Sequence, residues 1–446
     1  MNTKNLIATT ALLLCGSLAT ELVAAETEPT NELQALPSYQ ALELLGMDPE
    51  TQGWTLAGYE PVVAADLEDL SQGPRESVDR TATGDDEDLS QITYRLALLD
   101  GSVYEKVVDL SQAEDEGESL LLGSQGERSL DTLLTALPQA AYDQDGLAQL
   151  ISQLEPAAVQ QEADLSPLTP APDATLSNRT SNSIIPTDSP YNAGFDNRWV
   201  VNSVSSLSSY PLRTMGHILA NSNSLGGGCS GSLIGPRHVL TAAHCIFNRN
   251  SGNWAWGTWF SPGHRGRSGS RFTNGSPRQI VGLLSVTGYT VNGNWTSDYG
   301  MAILKDESRT ASLGWLGLGA FSNGYLSGKS MGVHGYPSWA NPCGGAGSPR
   351  ADDRCGSFMY YDWCTVANTW SAQLGYQCDT QPGQSGSPVW LWYQSSPVVI
   401  AVHAYGEANR ADDRNRGTRL TSGRVNLLRS WICDFPSSYA THGACN

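Results

Sequence analysis

The sequence predicts an all-β fold for residues 183–446, an antiparallel sandwich or barrel, preceded by a differently built acidic region. Three observations carry this. Short β-forming runs such as His238-Val239-Leu240-Thr241 and Val398-Val399-Ile400-Ala401-Val402 are separated at close intervals by Gly, Ser, Asn and Pro, the pattern of short strands joined by tight turns. Long amphipathic helical patterns are absent except near Val425 to Trp431, where a short C-terminal helix is expected, and no repeat of fixed period is present. Composition also changes sharply along the chain. Met1 to Asn182 holds 7 basic and 32 acidic residues, a net charge of −25, whereas the remainder holds 19 and 13, a net +6. Twelve of the thirteen Trp and eight of the nine Cys fall in the second part, so the two parts are built on different principles.

The order of segments follows from local composition. Lys4, an apolar stretch from Leu6 to about Ala19, and the small-residue exit Val23-Ala24-Ala25 have the layout of a secretory signal peptide over residues 1–25. The stretch is shorter than the roughly 17 to 20 apolar residues of a spanning helix, so no membrane residence is expected after cleavage. Residues 26–182 read as an acidic propeptide with helical periodicity in places, for example Leu130 to Leu137. Their Asp85-Asp86-Glu87-Asp88 and Glu114-Asp115-Glu116 runs read as solvated charge rather than a metal site. Pro167 to Ser189, rich in Pro, Ser, Thr and Asn, reads as a linker open to proteolysis. A net charge of −19 argues against nucleic acid as a partner.

Eight cysteines remain after the signal: Cys229, Cys245, Cys343, Cys355, Cys364, Cys378, Cys433 and Cys445. An even number in an exported chain reads as four disulfides. Proximity in sequence pairs Cys343 with Cys355, Cys364 with Cys378, and Cys433 with Cys445. No Cys-x-x-Cys pair is present, and His217, His238, His264, His334 and His442 are scattered without metal-ligand spacing. Neither a metal nor another cofactor is expected, and His334 reads as part of a strand and turn.

Three segments carry chemistry: Leu240-Thr241-Ala242-Ala243-His244-Cys245, Ser297-Asp298-Tyr299-Gly300, and Pro382-Gly383-Gln384-Ser385-Gly386-Ser387. A serine hydroxyl becomes an effective nucleophile when an imidazole takes its proton, and a carboxylate fixes the tautomer of that imidazole and stabilises the imidazolium. The glycines around Ser385 suit a tight turn whose Gly383 and Ser385 N–H groups converge on a developing oxyanion.

The order His, Asp, Ser with these flanks resembles the trypsin/chymotrypsin-like serine proteases over roughly residues 184–446. The resemblance implies a double antiparallel β-barrel, about 183–310 and 311–446, with His244, Asp298 and Ser385 as the triad and Gly383 with Ser385 as the oxyanion hole. It also implies a Cys229–Cys245 bridge closing the histidine loop; closing about 16 residues contributes roughly 3 kcal/mol on the chain-entropy model. An α/β-hydrolase would need Gly-x-Ser-x-Gly and the order Ser, Asp, His, and this chain has neither.

Within that family the sequence is most similar to bacterial glutamyl endopeptidases. The residues that carry this are Cys229-Ser230-Gly231-Ser232-Leu233-Ile234-Gly235-Pro236, Cys378-Asp379-Thr380, Ala401-Val402-His403-Ala404-Tyr405-Gly406 and Asn415-Arg416-Gly417-Thr418-Arg419-Leu420. The resemblance implies that His403, helped by Thr380 and with Gly406 in the substrate cleft, binds a Glu carboxylate. An imidazolium and a hydroxyl suit one carboxylate, because charge-assisted hydrogen bonds are the stronger ones. Asp379 keeps an alternative open, since trypsins carry their Lys/Arg-selecting carboxylate at that position. Gln384 is a second departure: trypsins have there an Asp that pairs with the new N-terminal amine, and an amide cannot form that ion pair.

The expected function is therefore a secreted, extracellular or periplasmic, monomeric serine endopeptidase. It acts on proteins or peptides after Glu or Asp, with its own propeptide as inhibitor or chaperone. Opposite net charges of the two parts make an electrostatic association the expectation. The alternatives are cleavage after Arg or Lys, and an inactive protease-fold binding module.

Overall fold

Backbone hydrogen bonding organises the computed structural model around two closed sheets. It describes residues 38–64, 91–110, 119–122, 198–201, 204–219, 228–256, 259–265, 272–337, 358–406, 414–438 and 445. The expected signal peptide, the linker, the Leu130 to Leu137 pattern, Cys343, Cys355 and His442 lie outside the described residues.

The described strands of the acidic region are β1 (Thr55–Tyr59), β2 (Val62–Ala64), β3 (Gln91–Leu98), β4 (Ser102–Asp109) and β5 (Ser119–Leu122), and β6 (Trp199–Val201) comes next in the chain. The first barrel region contains β7 (Met215–Leu219), β8 (Cys229–Gly235), β9 (His238–Thr241), β10 (Phe247–Asn248), β11 (Asn253–Trp256), β12 (Trp259–Pro262), β13 (Arg278–Val286) and β14 (Gly300–Leu304). The order β13-β12-β7-β8-β9-β14, with β14 returning to β13, closes a six-stranded antiparallel barrel. The second region contains β15 (Gly317–Phe321), β16 (Ser330–Gly335), β17 (Met359–Thr369), β18 (Gln373–Tyr376), β19 (Pro388–Tyr393), β20 (Ser396–Tyr405) and β21 (Asn415–Arg419). Here β19-β16-β17-β18-β21-β20 closes through the β19–β20 pairing. Closure satisfies backbone donors and acceptors that an open sheet leaves on its edges. Val333, Val366, Leu374, Val389, Leu391 and Ile400 fill the second barrel, inward-facing positions of strands whose side chains alternate across the sheet.

The expected C-terminal helix spans Ser422–Asp434. Its first turn is capped by the Thr421 hydroxyl, which accepts from the Arg424 N–H at 3.4 Å. Leu427, Leu428, Trp431 and Ile432 are buried beneath it. Disulfides join Cys229 to Cys245, Cys364 to Cys378 and Cys433 to Cys445.

The acidic region continues the sheets of both barrels. β3 pairs antiparallel with β13 from Leu98 opposite Gly282 to Tyr94 opposite Val286. β4 then pairs with β3, and β1 with β4. β2 lies parallel to β11, and β5 runs antiparallel to β15, itself hydrogen-bonded to β20 of the second barrel. Tyr94, Leu96 and Leu98 are fully buried, each such side chain contributing about 1.5–3 kcal/mol. Trp54 packs edge-on to Tyr94 at 5.0 Å and tilts against Phe435 at 6.0 Å. Arg237 donates to the Leu44 carbonyl at 3.0 Å. These contacts are of another kind than the net charges suggest. An ion pair that crosses between the two parts, Lys106 to Asp434 at 2.6 Å, even reverses their signs.

Backbone ladders and apolar burial withstand salt, which screens only exposed charge. After cleavage within residues 167–189, the N-terminal piece should co-elute with the barrels in gel filtration at both about 0.1 M and about 1 M NaCl. Leu96→Ala should destabilise the chain by about 2–5 kcal/mol in denaturant titration.

Candidate active site

β9 ends at Thr241, and the single 3-10 turn Ala243–Cys245 that follows carries His244. The Cys229–Cys245 bridge, with Cα atoms 5.9 Å apart, ties this turn back to β8. Opposite it, the Asn294 side chain caps the turn Trp295–Ser297 by accepting from the Thr296 N–H at 3.0 Å. Asp298 follows directly and is fully buried. A positioning element unseen in the sequence is Arg424, which donates to the Thr296 carbonyl at 2.8 Å and covers the Tyr299 ring at 5.2 Å. The C-terminal helix thereby holds the Asp298 turn from behind.

The two side chains meet. Asp298 Oδ2 lies 2.7 Å from His244 Nδ1, and Oδ1 accepts the His244 backbone N–H at 2.9 Å. Burial alone would raise the Asp298 carboxyl. The charge and hydrogen bonds of His244, aided by the Tyr405 hydroxyl, outweigh it and hold the group below its ordinary value. An ionised carboxylate on Nδ1 selects the tautomer in which Nε2 is free to accept a proton. Nε2 is buried and has no hydrogen-bond partner among the described residues.

Ser385 lies in the turn between Gln381 and Ser387, built from Gln384 N–H to Gln381 O and Ser387 N–H to Gln384 O, both 3.0 Å. The N–H groups of Gly383 and Ser385 take no part in those bonds. Gly383 and Gly386 have φ of 94° and 83°, left-handed values that glycine adopts without strain. At Gly386 a Cβ would also lie 2.2 Å from both Ser230 O and Thr241 Oγ1. The serine turn is therefore packed directly on the strands that lead to His244. Ser230 fixes the approach: its N–H donates to Ser385 O at 2.8 Å and its hydroxyl to Gly383 O at 3.0 Å, while accepting the Tyr336 N–H at 2.8 Å. The sequence signal for Ser230 was its place beside Cys229, which gave it no role.

The expected specificity residues line the other side of the turn. His403 exchanges backbone hydrogen bonds with it, donating to Ser387 O at 2.9 Å and accepting from Gly386 N–H at 2.8 Å. Its Nδ1 lies 2.7 Å from the Tyr376 hydroxyl, a partner the sequence did not single out. Thr380 and Asp379 are buried, and the Asp379 N–H is held by Asp362 at 2.8 Å. Asn415 donates to the Cys378 carbonyl at 2.6 Å. Gly406 ends this stretch half-buried.

Other histidines serve the core. His334 lies in β16, accepts from Trp390 Nε1 at 3.0 Å and stacks on Tyr361 at 4.9 Å, and burial lowers its pKa to about 3. Cys229, His244 and Cys245 place donor atoms within 4.8 Å of one another. The two sulfurs are bonded to each other, so this is not a thiolate ligand set.

A double antiparallel barrel of this topology, with the serine turn of one barrel packed on the strands of the other that lead to the histidine turn, defines a trypsin-like serine protease. The family model described as Trypsin matches residues 207–432, and the chain belongs to that family. It is 31% identical over 233 residues to a glutamyl endopeptidase of Bacillus licheniformis, covering 51% of this chain and 66% of that one. It is 29% identical over 231 residues to a Bacillus subtilis protein named extracellular metalloprotease, with the same coverage. The chain thus spans just under two thirds of the length of these relatives. A solved glutamyl endopeptidase in complex with MPD is similar at 22% identity and a TM-score of 0.43, over 53% of this chain and 97% of that one.

Gly386→Ala should destabilise the fold by more than the roughly 1 kcal/mol of a typical point substitution, because a left-handed φ and a close contact with Ser230 O add, measured by urea unfolding. Asp298→Asn tests the carboxylate. A depressed pKa in the folded state contributes stability above the ordinary value of 3.8 and loses it as pH falls through the folded value. The stability gap between wild type and Asp298→Asn should therefore be widest at neutral pH and shrink on acidification below 3.8.

Proposed function

We propose that the chain is a secreted serine endopeptidase that hydrolyses peptide bonds after Glu, and less well after Asp, through an acyl-enzyme. The observation that carries the reading is the buried His244–Asp298 pair, with Nδ1 and Oδ2 2.7 Å apart, beneath the glycine-flanked turn of Ser385.

In this mechanism His244 Nε2 takes the Ser385 hydroxyl proton as Oγ attacks the scissile carbonyl carbon. The oxygen of the tetrahedral intermediate carries the negative charge and is received by the Gly383 and Ser385 N–H groups. Imidazolium then gives its proton to the leaving amine, the C–N bond breaks, and water repeats the sequence on the ester. Asp298 stays ionised throughout, consistent with its depressed pKa.

Glu selectivity rests on His403. The Tyr376 hydroxyl engages Nδ1 and orients the ring, and in this proposal the imidazole receives the substrate carboxylate, with Thr380 as second donor. The second reading, cleavage after Arg or Lys, rests on the buried Asp379. Similarity to the Bacillus licheniformis glutamyl endopeptidase favours the first. Residues 26–182 act in this proposal as a folding partner, supported by their strands on both barrels. Disulfides support an oxidising, extracytoplasmic location, and no described helix is long and apolar enough to cross a membrane.

Ser385→Ala should lower kcat on the order of 10⁶-fold, and the Ser385→Ala/His244→Ala double variant should be scarcely worse, because these groups act as a unit. Independent multiplicative losses would refute the triad. His403→Ala should cost Glu substrates about 2 to 5 kcal/mol of transition-state binding, far more than it costs an ester with an apolar side chain. Cleavage after Arg or Lys in a mixed peptide library, abolished by Asp379→Ser, would establish the second reading instead.

A further inference from the structure

His244 lies in one short 3-10 turn, Ala243–Cys245, and Asp298 directly follows another, Trp295–Ser297. A single turn of three residues closes too few hydrogen bonds to hold its own position, so what packs behind each turn sets where its side chain stands. On the aspartate side that backing ends in the acidic region. Tyr299, the residue after Asp298, is stacked on Trp431 of the C-terminal helix at 6.0 Å and 22°, and Trp431 meets the Tyr94 ring of β3 at 5.5 Å. All three rings are fully buried. The Tyr94 hydroxyl donates to Asp434 at the end of the helix, and Lys106 of β4 reaches the other oxygen of that carboxylate at 2.6 Å. β3 itself lies on β13, whose Ser285 hydroxyl donates to the Tyr299 carbonyl at 3.2 Å.

The histidine side is backed by the same region. Ile246, directly after the His244 turn, accepts the Ala255 N–H at 2.9 Å, and Phe247 packs edge-on to Trp254 at 5.2 Å. Trp254 is fully buried. Its backbone N–H donates to the Pro61 carbonyl at 3.2 Å and its indole Nε1 to Glu60 Oε2 at 2.9 Å. Glu60 Oε1 in turn receives Arg95, the neighbour of Tyr94, which also donates to Glu105 at 3.1 Å. The two supports are therefore one unit. Trp254, Glu60 and Arg95 lead from behind His244 to β3, and Tyr94, Trp431 and Tyr299 lead from β3 to behind Asp298. A close-packed interior transmits a displacement rather than absorbing it, and a reacting geometry misplaced by about 1 Å from afar loses about 100-fold in rate.

We infer that the acidic region is a retained, working part of the enzyme that braces the His244–Asp298 pair, with Tyr94 as the positioning residue on the aspartate side and Glu60 on the histidine side. This rests on the serine-nucleophile reading above and gives the region a role beyond folding. A cut in the linker then yields a two-chain enzyme instead of releasing a catalytic domain from its inhibitor.

The test uses the full chain nicked within residues 167–189, with both pieces present and active sites titrated by a fluorophosphonate. No labelling in any form, intact, nicked or stripped of the N-terminal piece, refutes the serine-nucleophile reading itself. Labelling that begins only after stripping overturns the inference and makes the region an inhibitor. Given labelling of the nicked complex, Tyr94→Leu should lower kcat per titrated site about tenfold, with KM changed less than about threefold. A merely structural role would lower the number of sites and leave kcat per site unchanged. Tyr94→Phe keeps the ring on Trp431 and should stay within about threefold of wild-type kcat. In an Asp298→Asn background, Tyr94→Leu should change the residual turnover less than about twofold, because its effect runs through that carboxylate. On the histidine side, Glu60→Leu should lower kcat per site at least about threefold, and Glu60→Gln, which keeps an acceptor for the Trp254 indole, should recover most of that loss. Should Tyr94→Leu fail to fold, Trp431→Phe, which thins the same stack at its middle, replaces it with the same expected split. Wild-type kcat per site in Tyr94→Leu or its replacement, or in Glu60→Leu, an equal loss in Tyr94→Phe, or an undiminished loss in the Asp298→Asn background would overturn the inference.

Discussion

Ser230 is the joint on which the site depends. It belongs to β8 of the first barrel, yet its N–H and hydroxyl hold the Ser385 and Gly383 carbonyls of the second. With those two carbonyls engaged, and the N–H groups of the same peptide planes bonded from Gln384 to Gln381 O and from Gly386 to His403 O, the serine turn is constrained on both sides. The same strand is bridged through Cys229 to Cys245, next to His244. The proposed nucleophile and base therefore come from different barrels but are referenced to one short length of backbone. Catalytic geometry needs placement within about 0.5 Å, and a single shared reference achieves this more readily than two independent loops.

The remaining members of the site are referenced in turn to that joint. Gly386 lets the turn approach within contact of Thr241 and Ala242, and Arg424 carries the Asp298 turn on the C-terminal helix. The proposed specificity residue and the serine turn share a ladder, because His403 is hydrogen-bonded through its backbone to Gly386 and Ser387. A shift of β20 would therefore move the serine turn with it, whereas a change confined to the His403 side chain would not.

Much of this was legible in the sequence. The strand-rich pattern, the C-terminal helix and the His244, Asp298 and Ser385 segments were readable because tight turns and reactive side chains leave local signatures. Cys364 with Cys378 and Cys433 with Cys445 were readable from proximity. Residues acting through non-local contacts were not. Ser230, Tyr376 and Arg424 are ordinary residue types whose partners lie far along the chain, as with Arg424 and Thr296, 128 positions apart. Net charge is silent on the apolar faces of β3 and β4, which the described contacts of the acidic region use. The eight-residue alternation in β3, with Tyr94, Leu96 and Leu98 buried, was the available signal.

The placement of β3 has a consequence for what becomes of the chain if the N-terminal region is lost. β13 spends its first residues on β12 and its later ones, Gly282 to Val286, on β3. Stripped of β3, that half of β13 would present a row of unsatisfied amides and carbonyls beside apolar side chains, a template for another copy's strand. Among the described residues, β3 thus covers a stretch of the first barrel where the sheet, left bare, would be open to a neighbour's strand.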